Sequence, residues 1–487
     1  MIKSAILGYP RFGIKRELKR ALESFWKGQS TEIDLLQIGV ELRRYNWQLM
    51  SGAGIDLIPS NDFSLYDQVL DTTAMVGAVP ARYQWSGETV DLNTYFAMAR
   101  GAQKHGLDVS AMEMTKWFDT NYHFIVPEFE ADQTFKLAST KAVDEYREAK
   151  ALGIETRPVL IGPVSYLLLG KTIDSEIAPL SMLAKLLPVY TMILEALARA
   201  GATHVQIDEP CLVLDLDMST RSAYEMAYEI LAKSSSLKIM LATYFGDLRD
   251  NLSTVMQLPV DGLHVDLVRA PGQLDDVLRA LPEDKALSLG IIDGRNIWRT
   301  DLDQALKMVQ KVTDSLGEER VVIAPSSSLQ FCPYDLDLET ELDNDLRSWL
   351  AFAKQKIIEL TLLQQAVNGG NISKELENSR HALINRRQSG RTRNPAVRDR
   401  LEHLTPDMFQ RTSDHSHRKI TQGASIRLPD FPTTTIGSFP QTQEIRVKRA
   451  AFRNGNVTQE QYENFLKAET ESAIRIQEAI GLDVLVH

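Results

Sequence analysis

The sequence predicts an α/β protein with a complete N-terminal (β/α)8 TIM-type barrel, a connector, and the first βαβ unit of a second, incomplete barrel. Three observations predict this fold. Short runs of Val, Ile and Leu alternate with helical stretches, the opening segment recurs near the end of the chain, and a basic segment separates the two. Strands that are apolar throughout are typical of parallel sheets, and about eight of them are typical of a barrel. The predicted domains are residues 1–340 (barrel), 341–430 (long helix and connector) and 431–487 (start of the second barrel).

The first predicted helix begins at about Ile14 and has two distinct faces. Leu18, Leu22 and Phe25 recur at i, i+4 and i+7, which is the spacing of a buried helical stripe. A second helix is expected from about residue 32 to residue 49, and a long helix with the same apolar spacing is expected from about residue 342 to the glycines at 369 and 370. These helices would cover the outside of the predicted sheet.

Nine apolar runs are candidate strands, which is one more than a ring of eight requires. One run is therefore expected to lie outside the ring, although the sequence does not show which one. The candidates are Ala5–Gly8, Ile55–Pro59, His123–Val126, Val159–Ile161, His204–Ile207, Ile239–Ala242, Leu263–Leu267, Leu287–Ile291 and Val321–Ala324.

Polar side chains follow several of these runs, where the carboxyl ends of barrel strands form the functional face. Asp208 and Glu209 are the most suggestive, because paired carboxylates are what a glycosidase uses. Adjacent strand residues point to opposite faces, however, so these two are not expected to flank one bond. The other polar strand ends are Glu128, Thr243-Tyr244, Asp266, Asp293 and Ser326–Ser328.

The end of the chain repeats its beginning. The segment 479–487 aligns with 52–60, so that Gly481 falls on Gly54 and Asp483 on Asp56, and Ser438 falls on Gly8 upstream. Self-similarity over this length predicts a duplicated domain. The alternative is a chance match between two amphipathic βαβ units.

Composition limits the classes of function. A net charge of −11 argues against nucleic-acid binding. We find no signal peptide and no apolar run of about eighteen residues, so a cytoplasmic protein without membrane contact is expected. The two cysteines, Cys211 and Cys332, have no Cys or His neighbour at metal-ligand spacing, so no metal site is predicted in this chain.

The first helix carries cations that could hold an anion. Arg16, Lys19 and Arg20 share one face, and the first two lie near the positive end of the helix dipole. Cations there are unfavourable unless an anion binds, so a multivalent carboxylate or phosphate ligand is one interpretation. The other is a surface helix whose cations pair with Glu17 and Glu23.

Two further segments are open to more than one interpretation. Lys116 stands beside Trp117, and a cation next to a flat aromatic suits a heterocycle with an acidic tail, although a Trp here is more often a core residue. The basic stretch from about residue 386 to residue 427 is predicted to be an irregular, solvated connector between domains.

Four segments together resemble the cobalamin-independent methionine synthase family. They are Gly8–Lys19, Met112–His123, Gln206–Pro210 and Thr433–Thr442, and the resemblance extends over all 487 residues. The family is built from two (β/α)8 barrels, which agrees with the internal repeat.

The resemblance implies ligand contacts at specific residues. Arg16, Glu17, Leu18 and Lys19, with Lys116, would contact the polyglutamate tail of 5-methyltetrahydropteroyltriglutamate. Ile436, Gly437 and Ser438 would contact L-homocysteine or L-methionine. Asp208 would be a relic of an amino-group ligand in the second barrel.

The resemblance also implies a reaction, namely zinc-dependent methyl transfer from the folate to L-homocysteine, forming L-methionine. Zinc in the family is held by one His, two Cys and one Glu of the second barrel, and it stabilises the homocysteine sulfur as thiolate. Those ligands are expected beyond residue 487. The chain by itself is therefore predicted to hold no catalytic residue and no metal, and to be inactive without the missing C-terminal barrel.

Three alternatives to this reaction remain at the level of the sequence. The chain could be a non-catalytic barrel that binds folyl-polyglutamate or serves as a scaffold. It could be a uroporphyrinogen-decarboxylase-like barrel enzyme, because one architecture serves many chemistries. It could also be a non-catalytic interaction protein.

Overall fold

The computed structural model describes residues 1–104, 107–173 and 176–486. The chain forms two compact units, Met1–Arg393 and Asn394–His487. The first unit is organised around an eight-stranded parallel sheet with the strand order β1-β14-β13-β12-β11-β10-β8-β2. The strands are β1 Lys3–Ser4, β2 Ile58–Ser60, β3 Ala102–Lys104, β4 Leu107–Val109, β5 Met114–Lys116, β6 His123–Ile125, β7 Glu128–Phe129, β8 Thr156–Ile161, β9 Lys171–Thr172, β10 His204–Asp208, β11 Lys238–Ala242, β12 Gly262–Asp266, β13 Ala286–Ile292 and β14 Val321–Pro325.

The sheet is curled, so that its two end strands approach each other. The amide of Leu57 donates to the carbonyl of Ser4 at 3.0 Å, and the amide of Ile6 donates to the carbonyl of Leu57 at 3.1 Å. A parallel bridge pairs Ala5 with Leu57. Every residue of β12 and β14 is buried, as expected for strands covered on both faces.

One of the nine candidate strands lies outside this sheet, as expected. It is β6, which pairs antiparallel with β5 so that Lys116 is opposite His123. The pairs β3–β4 and β7–β9 form two further small sheets.

Helices cover the first unit and continue through the second. They are α1 Glu17–Trp26, α2 Glu32–Ala53, α3 Gln68–Met75, α4 Leu92–Arg100, α5 Lys141–Ala151, α6 Pro163–Leu169, α7 Leu183–Ala200, α8 Met218–Ser234, α9 Leu252–Gln257, α10 Leu274–Ala280, α11 Leu302–Leu316, α12 Asn344–Ser348, α13 Ala353–Val367, α14 Ser373–Gln388, α15 Pro395–Glu402, α16 His415–Ser425, α17 Gln443–Arg453 and α18 Gln459–Ile480.

Three expectations about helices are corrected. The first helix begins at Glu17 rather than near Ile14, because Gly13 and Arg16 have positive φ and form a turn. The long helix is broken into α12 and α13, because Leu350 forms a bridge with Trp298. The predicted connector is not irregular throughout, since it contains α15 and α16, each capped by the side chain of the residue before it.

The first unit extends beyond the predicted boundary at residue 340. Leu360 and Leu363 of α13 are buried in its main core, and α14 packs against α11 and α12. The segment Pro179–Ala200 is long and apolar enough to cross a membrane by length and composition alone. Half of its most apolar window is buried inside the unit, which is common for a core helix.

The second unit repeats the opening of the first in detail. The helices α2 and α18 are both 22 residues long, and both begin with a capping box, at Thr31 and Thr458. Both end at a left-handed glycine, Gly54 with φ 87° and Gly481 with φ 86°.

The strand segments of the two copies also correspond. Asp56 accepts a hydrogen bond from the amide of Ser4 at 2.8 Å, and Asp483 accepts one from the amide of Thr433 at the same distance. These hydrogen bonds align Ser4 with Thr433 and Asp56 with Asp483. The last residue of the repeated segment, 487, lies outside the described residues.

Candidate functional site

A pocket in the first unit lies where the parallel strands end. Its lining includes the carboxylates of Asp62, Asp71 and Asp208, the ammonium of Lys141 and the hydroxyl of Tyr244. Asp62 follows β2 and Asp208 ends β10, so the strands themselves bring these groups to one edge of the sheet. The pocket therefore combines acidic groups with the cation of Lys141.

Asp208 faces this pocket, whereas Glu209 faces the opposite side of the strand. The Asp208 carboxylate accepts hydrogen bonds from Gln206 Nε2 at 2.7 Å and from the Tyr244 hydroxyl at 3.1 Å. Glu209 instead accepts the amide of Ser165 at 2.7 Å and caps the start of α6. This separation confirms that the two carboxylates do not flank one bond.

Burial raises the pKa of several carboxyl groups in and behind the pocket. The pKa of Asp208 rises to about 7, with the two hydrogen bonds to its carboxylate opposing the effect of burial. The pKa of Asp62 rises to about 6, also chiefly through burial. Burial raises the pKa of Glu209 to about 7. Groups that titrate near neutrality can hold a proton or accept one, which is a property of functional sites.

Lys141 is held by neighbouring acceptors. Its Nζ donates to Asn61 Oδ1 at 2.9 Å and forms ion pairs with Glu145 at 3.1 Å and Asp71 at 3.3 Å. Burial lowers the pKa of this ammonium, but the carboxylates of Glu145 and Asp71 more than offset that effect, so the pKa is raised. Lys141 therefore stays charged, and it compensates the acidic side of the pocket.

A second, smaller cavity joins two of the segments singled out in the sequence. Arg11 of the first segment lines it together with Trp117, Tyr122 and His123 of the second. Arg11 Nη1 donates to the carbonyl of Ser64 at 2.6 Å. The fold thus brings the segments 8–19 and 112–123 together at this end of the sheet.

The predicted residues of α1 lie partly at the surface and partly in the core. Arg16 and Lys19 are exposed, and Lys19 forms an exposed ion pair with Glu23 at 3.7 Å. Arg16 precedes the helix with φ 61°, an uncommon conformation for a residue with a side chain. Leu18 is 0% exposed and its amide donates to the carbonyl of Phe12 at 3.2 Å, so neither its side chain nor its amide is free to contact a ligand. Glu17 accepts a hydrogen bond from the amide of Lys15 at 2.8 Å.

Lys116 is exposed at the end of β5 and lines an open cavity with Phe118, Phe124 and Leu168. The adjacent Trp117 is only 2% exposed and makes edge-to-face contacts with Phe118 and Phe124. Trp117 is therefore a core residue, and it does not offer a flat surface to a ligand beside Lys116.

Ile436, Gly437 and Ser438 belong to the second unit, on the exposed segment that follows the bridge at Thr434. The carbonyl of Gly437 accepts a hydrogen bond from the Thr435 hydroxyl at 2.8 Å. Their backbone and hydroxyl groups are accessible.

Within residues 1–104, 107–173 and 176–486, no group of three or more His, Cys, Asp and Glu side chains is placed to hold a metal ion. Cys211 and Cys332 are free and buried, and burial raises the pKa of each thiol to about 12. Both are therefore neutral thiols.

Sequence reasoning missed Asp62 and Lys141. Asp62 had a usable signal, because it lies three residues after the predicted strand Ile55–Pro59, near a strand end as the other candidates are. Lys141 begins α5, far from any strand end, and nothing in the sequence distinguishes it from a surface lysine.

Comparison with known proteins gives consistent results. The description "Cobalamin-independent synthase, N-terminal domain" matches residues 3–317, and "Cobalamin-independent synthase, Catalytic domain" matches residues 431–487. A 5-methyltetrahydropteroyltriglutamate–homocysteine methyltransferase of Rhodopseudomonas palustris is 54% identical over 99% of this chain and 64% of its own length. Proteins with the same name from Chelativorans sp. and Salinibacter ruber are 52% and 51% identical over 100% of this chain and 64% of their own lengths. The chain thus spans about two thirds of these relatives, or 64% of each.

Two solved structures share the fold. A B12-independent methionine synthase from Shewanella sp. W3-18-1, in complex with selenomethionine, aligns with a TM-score of 0.51 at 12% identity, covering 72% of this chain and 92% of that one. A putative vitamin-B12-independent methionine synthase from Listeria monocytogenes aligns with a TM-score of 0.50 at 13% identity, covering 75% and 99%. At these identities the likeness concerns the fold alone.

Proposed function

The chain belongs to the cobalamin-independent synthase family, and from that premise we propose that it takes part in methyl transfer from 5-methyltetrahydropteroyltriglutamate to L-homocysteine, forming L-methionine. The observation that carries this proposal is the 54% identity, over 99% of the chain, to a methyltransferase named for that reaction. The reaction moves the methyl group from N5 of the folate to the homocysteine sulfur, which must first lose its proton.

We propose that the curled sheet of the first unit is a closed (β/α)8 barrel and that residues 431–487 begin a second barrel. The hydrogen bonds of Leu57 to both neighbours of Ala5 support the closure. Three features shared by the two copies support the second-barrel assignment. A capping box begins both α2 and α18, a left-handed glycine ends each helix, and an aspartate two residues later accepts a backbone hydrogen bond.

The polyglutamate tail is proposed to lie along Arg16 and Lys19, with Lys116 as a further contact. Exposed cations at the start of α1 face an unfavourable helix dipole when no anion is present, and a γ-linked glutamate chain supplies several carboxylates. Glu17 would add its backbone at the same helix start, and Leu18 would hold that start from the core, since its amide donates to the carbonyl of Phe12 at 3.2 Å.

Homocysteine or methionine is proposed to contact the backbone of Ile436 and Gly437 and the hydroxyl of Ser438. These groups are accessible and could bind the polar end of an amino acid. The described residues do not fit a zinc site, since the two cysteines are buried neutral thiols and no ligand cluster is found among them. No step of the proposal therefore passes through a metal held by these residues. A cytoplasmic location remains part of the proposal.

Calorimetry with the 487-residue chain tests the folate site. The triglutamate form of the folate should bind more tightly than the monoglutamate form, and the preference should weaken with salt. The double variant Arg16→Ala/Lys19→Ala should lose about tenfold in triglutamate affinity, equivalent to ~1.4 kcal/mol, with little change for the monoglutamate. Lys27→Ala, which removes one positive charge just after α1, is the control for loss of a single charge.

Two results would count against this proposal. Equal affinity for the two folates would remove the polyglutamate site, and an equal loss in Lys27→Ala would reduce it to a general charge effect. Methionine formation by the chain, followed with and without added zinc, measures separately whether these residues support the whole reaction.

A further inference from the structure

The hairpin formed by β5 and β6 carries Lys116, and its turn contacts loops that follow four strands of the sheet. The turn consists of residues 117–122, between Lys116 at the end of β5 and His123 at the start of β6. Two strands of three residues each are too short to be stable alone, so contacts outside the hairpin must fix its place. All three residues of β5 are exposed, so β5 itself buries no side chain. The position of Lys116 therefore depends on how the hairpin is attached to the rest of the unit.

Asp119 attaches the turn to two neighbouring strand ends. Its carboxylate forms ion pairs with Arg269 and with Arg295 Nη1, the latter at 2.7 Å. The Asp119 carbonyl also accepts a hydrogen bond from Arg295 Nη2 at 3.1 Å. Arg269 follows β12 and Arg295 follows β13, and these strands are adjacent in the sheet. A guanidinium that donates twice to one residue fixes direction as well as distance.

Aromatic rings hold the two sides of the same turn. Phe118 packs against Phe245, which follows β11, with 5.6 Å between ring centroids. Tyr122 packs edge-to-face on Phe331, which follows β14, at 5.3 Å. Apolar packing is non-directional, so the ion pairs of Asp119 supply the directional part of the attachment.

The hairpin and its turn form one packed body. The Trp117 amide donates to the Tyr122 carbonyl at 2.8 Å, and the Trp117 carbonyl accepts a hydrogen bond from the Thr120 hydroxyl at 2.7 Å. The rings that Trp117 contacts edge-to-face, Phe118 and Phe124, belong to the hairpin itself. Because this body is internally connected, its attachment to the strand ends also sets where the residue before Trp117 lies.

Lys116 is available to an anion in this position. It is exposed, and it forms no ion pair with any residue that the structure describes. Two carboxylates line the same open cavity, but each has another partner. Asp215 pairs with Arg249 at 3.3 Å, and Asp217 accepts the amide of Thr220 at 2.8 Å as the cap of α8. The value of this ammonium to a carboxylate ligand therefore depends on where the hairpin holds it.

We propose that Asp119 is a positioning residue for the polyglutamate tail of the folate. By joining the hairpin to Arg269 and Arg295, it holds Lys116 where a carboxylate of the tail can reach it. This inference rests on the proposed folate site, and it adds a residue that acts on the ligand only through Lys116. A cation that is already in place binds a carboxylate more tightly than one whose supporting segment must be ordered on binding.

The test is calorimetry of the full chain with the triglutamate and monoglutamate folates. Asp119→Asn should weaken triglutamate binding about threefold and leave monoglutamate binding little changed. The direction of this change is informative, because removing a carboxylate adds net positive charge near Lys116, and that charge alone would strengthen binding of a polyanion. Asp303→Asn is the matched control. It makes the same charge change on α11, where it removes the ion-pair partner of Arg380, and should leave both affinities unchanged.

A double-mutant cycle separates positioning from a merely structural role. Lys116→Gln should weaken triglutamate binding by at least as much as Asp119→Asn does. In the Lys116→Gln background, Asp119→Asn should cause no further loss, because its effect passes through that ammonium. Arg295→Lys keeps the charge but lacks the planar fork, so it should weaken triglutamate binding in the same direction. The Asp119 side chain is 52% exposed, and circular dichroism checks that each variant is folded.

Three results would overturn the positioning role: unchanged or tighter triglutamate binding in Asp119→Asn, an equal loss in Asp303→Asn, or additive losses in the double variant. Absence of any triglutamate preference in the unmodified chain would remove the proposed folate site and this inference with it. A preference that Lys116→Gln weakens and Asp119→Asn does not would remove the positioning role alone, so the two failures are distinguishable.

Discussion

Replacing Asp208 with Asn should remove part of the pH dependence of stability in the first unit. Asp208 is 7% exposed, and burial raises its pKa from 3.8 to about 7. Between these two values the folded state keeps a proton that the unfolded state has lost. The free energy of unfolding should therefore fall as pH rises from about 4 to about 7, and this contribution should level off at higher pH.

The size of the effect follows from that interval. At ~1.4 kcal/mol per pH unit, the full range between 3.8 and about 7 corresponds to roughly 4 kcal/mol, of which roughly 2–3 kcal/mol falls between pH 5 and pH 8. Asn cannot ionise, so the variant lacks this pH-dependent contribution to the free energy of unfolding. It also replaces one carboxylate oxygen by an NH2 group, which cannot accept a hydrogen bond from Gln206 Nε2 or the Tyr244 hydroxyl. The lost hydrogen bond should lower the free energy of unfolding by about 1–3 kcal/mol at every pH.

Chemical denaturation at pH 5, 6, 7 and 8 measures both contributions. The stability of Asp208→Asn relative to the unmodified chain should move by roughly 2–3 kcal/mol in favour of the variant between pH 5 and pH 8. Asp215→Asn is the control, because the Asp215 side chain is 94% exposed and should show little change. A relative stability of Asp208→Asn that stays constant across this range would refute the argument that burial raises the pKa of Asp208.

Two further substitutions test the supports of the candidate site. Gly162→Ala should destabilise the first unit by about 1–3 kcal/mol, because a Cβ at this position would overlap the buried carboxylate of Glu209. Gly272→Ala, where the added Cβ would meet open space, is its control, and equal melting temperatures for the two variants would contradict the reasoning. Lys141→Met should cost about 2–4 kcal/mol by leaving its two carboxylate partners without this cation. Denaturation curves measure that loss, and a cost no larger than that of Lys233→Met, at an exposed lysine of α8, would argue against an ion-pair origin.

Much of the candidate site could be predicted because it depends on local geometry. Asp208 and Glu209 are adjacent in a strand, so their opposite directions follow from the period of two in any extended chain. The sequence alone places Arg16 and Lys19 near the start of a helix. The helix begins about one turn later than predicted, because Gly13 and Arg16 have positive φ.

The remainder of the site depends on contacts between residues distant in sequence. The exposed Lys116 and the buried Trp117 are neighbours in the chain, and only the packing of Phe118 and Phe124 decides that the Trp is core. The raised pKa values of Asp62 and Asp208 likewise arise from burial, which no local pattern of residues specifies.

The sequence by itself determined the alternation of strands and helices and the repeat of the opening segment, because hydrophobic periodicity, caps and terminal glycines act within a few residues. Only the tertiary structure decided that His123–Ile125 leaves the eight-stranded sheet and that Leu18 is fully buried. It also decided that Arg157 is buried and that its Nη2 donates to Gln206 Oε1 at 2.7 Å. These outcomes depend on which strands pair across more than a hundred residues, and that choice is set by the free energy of the whole core.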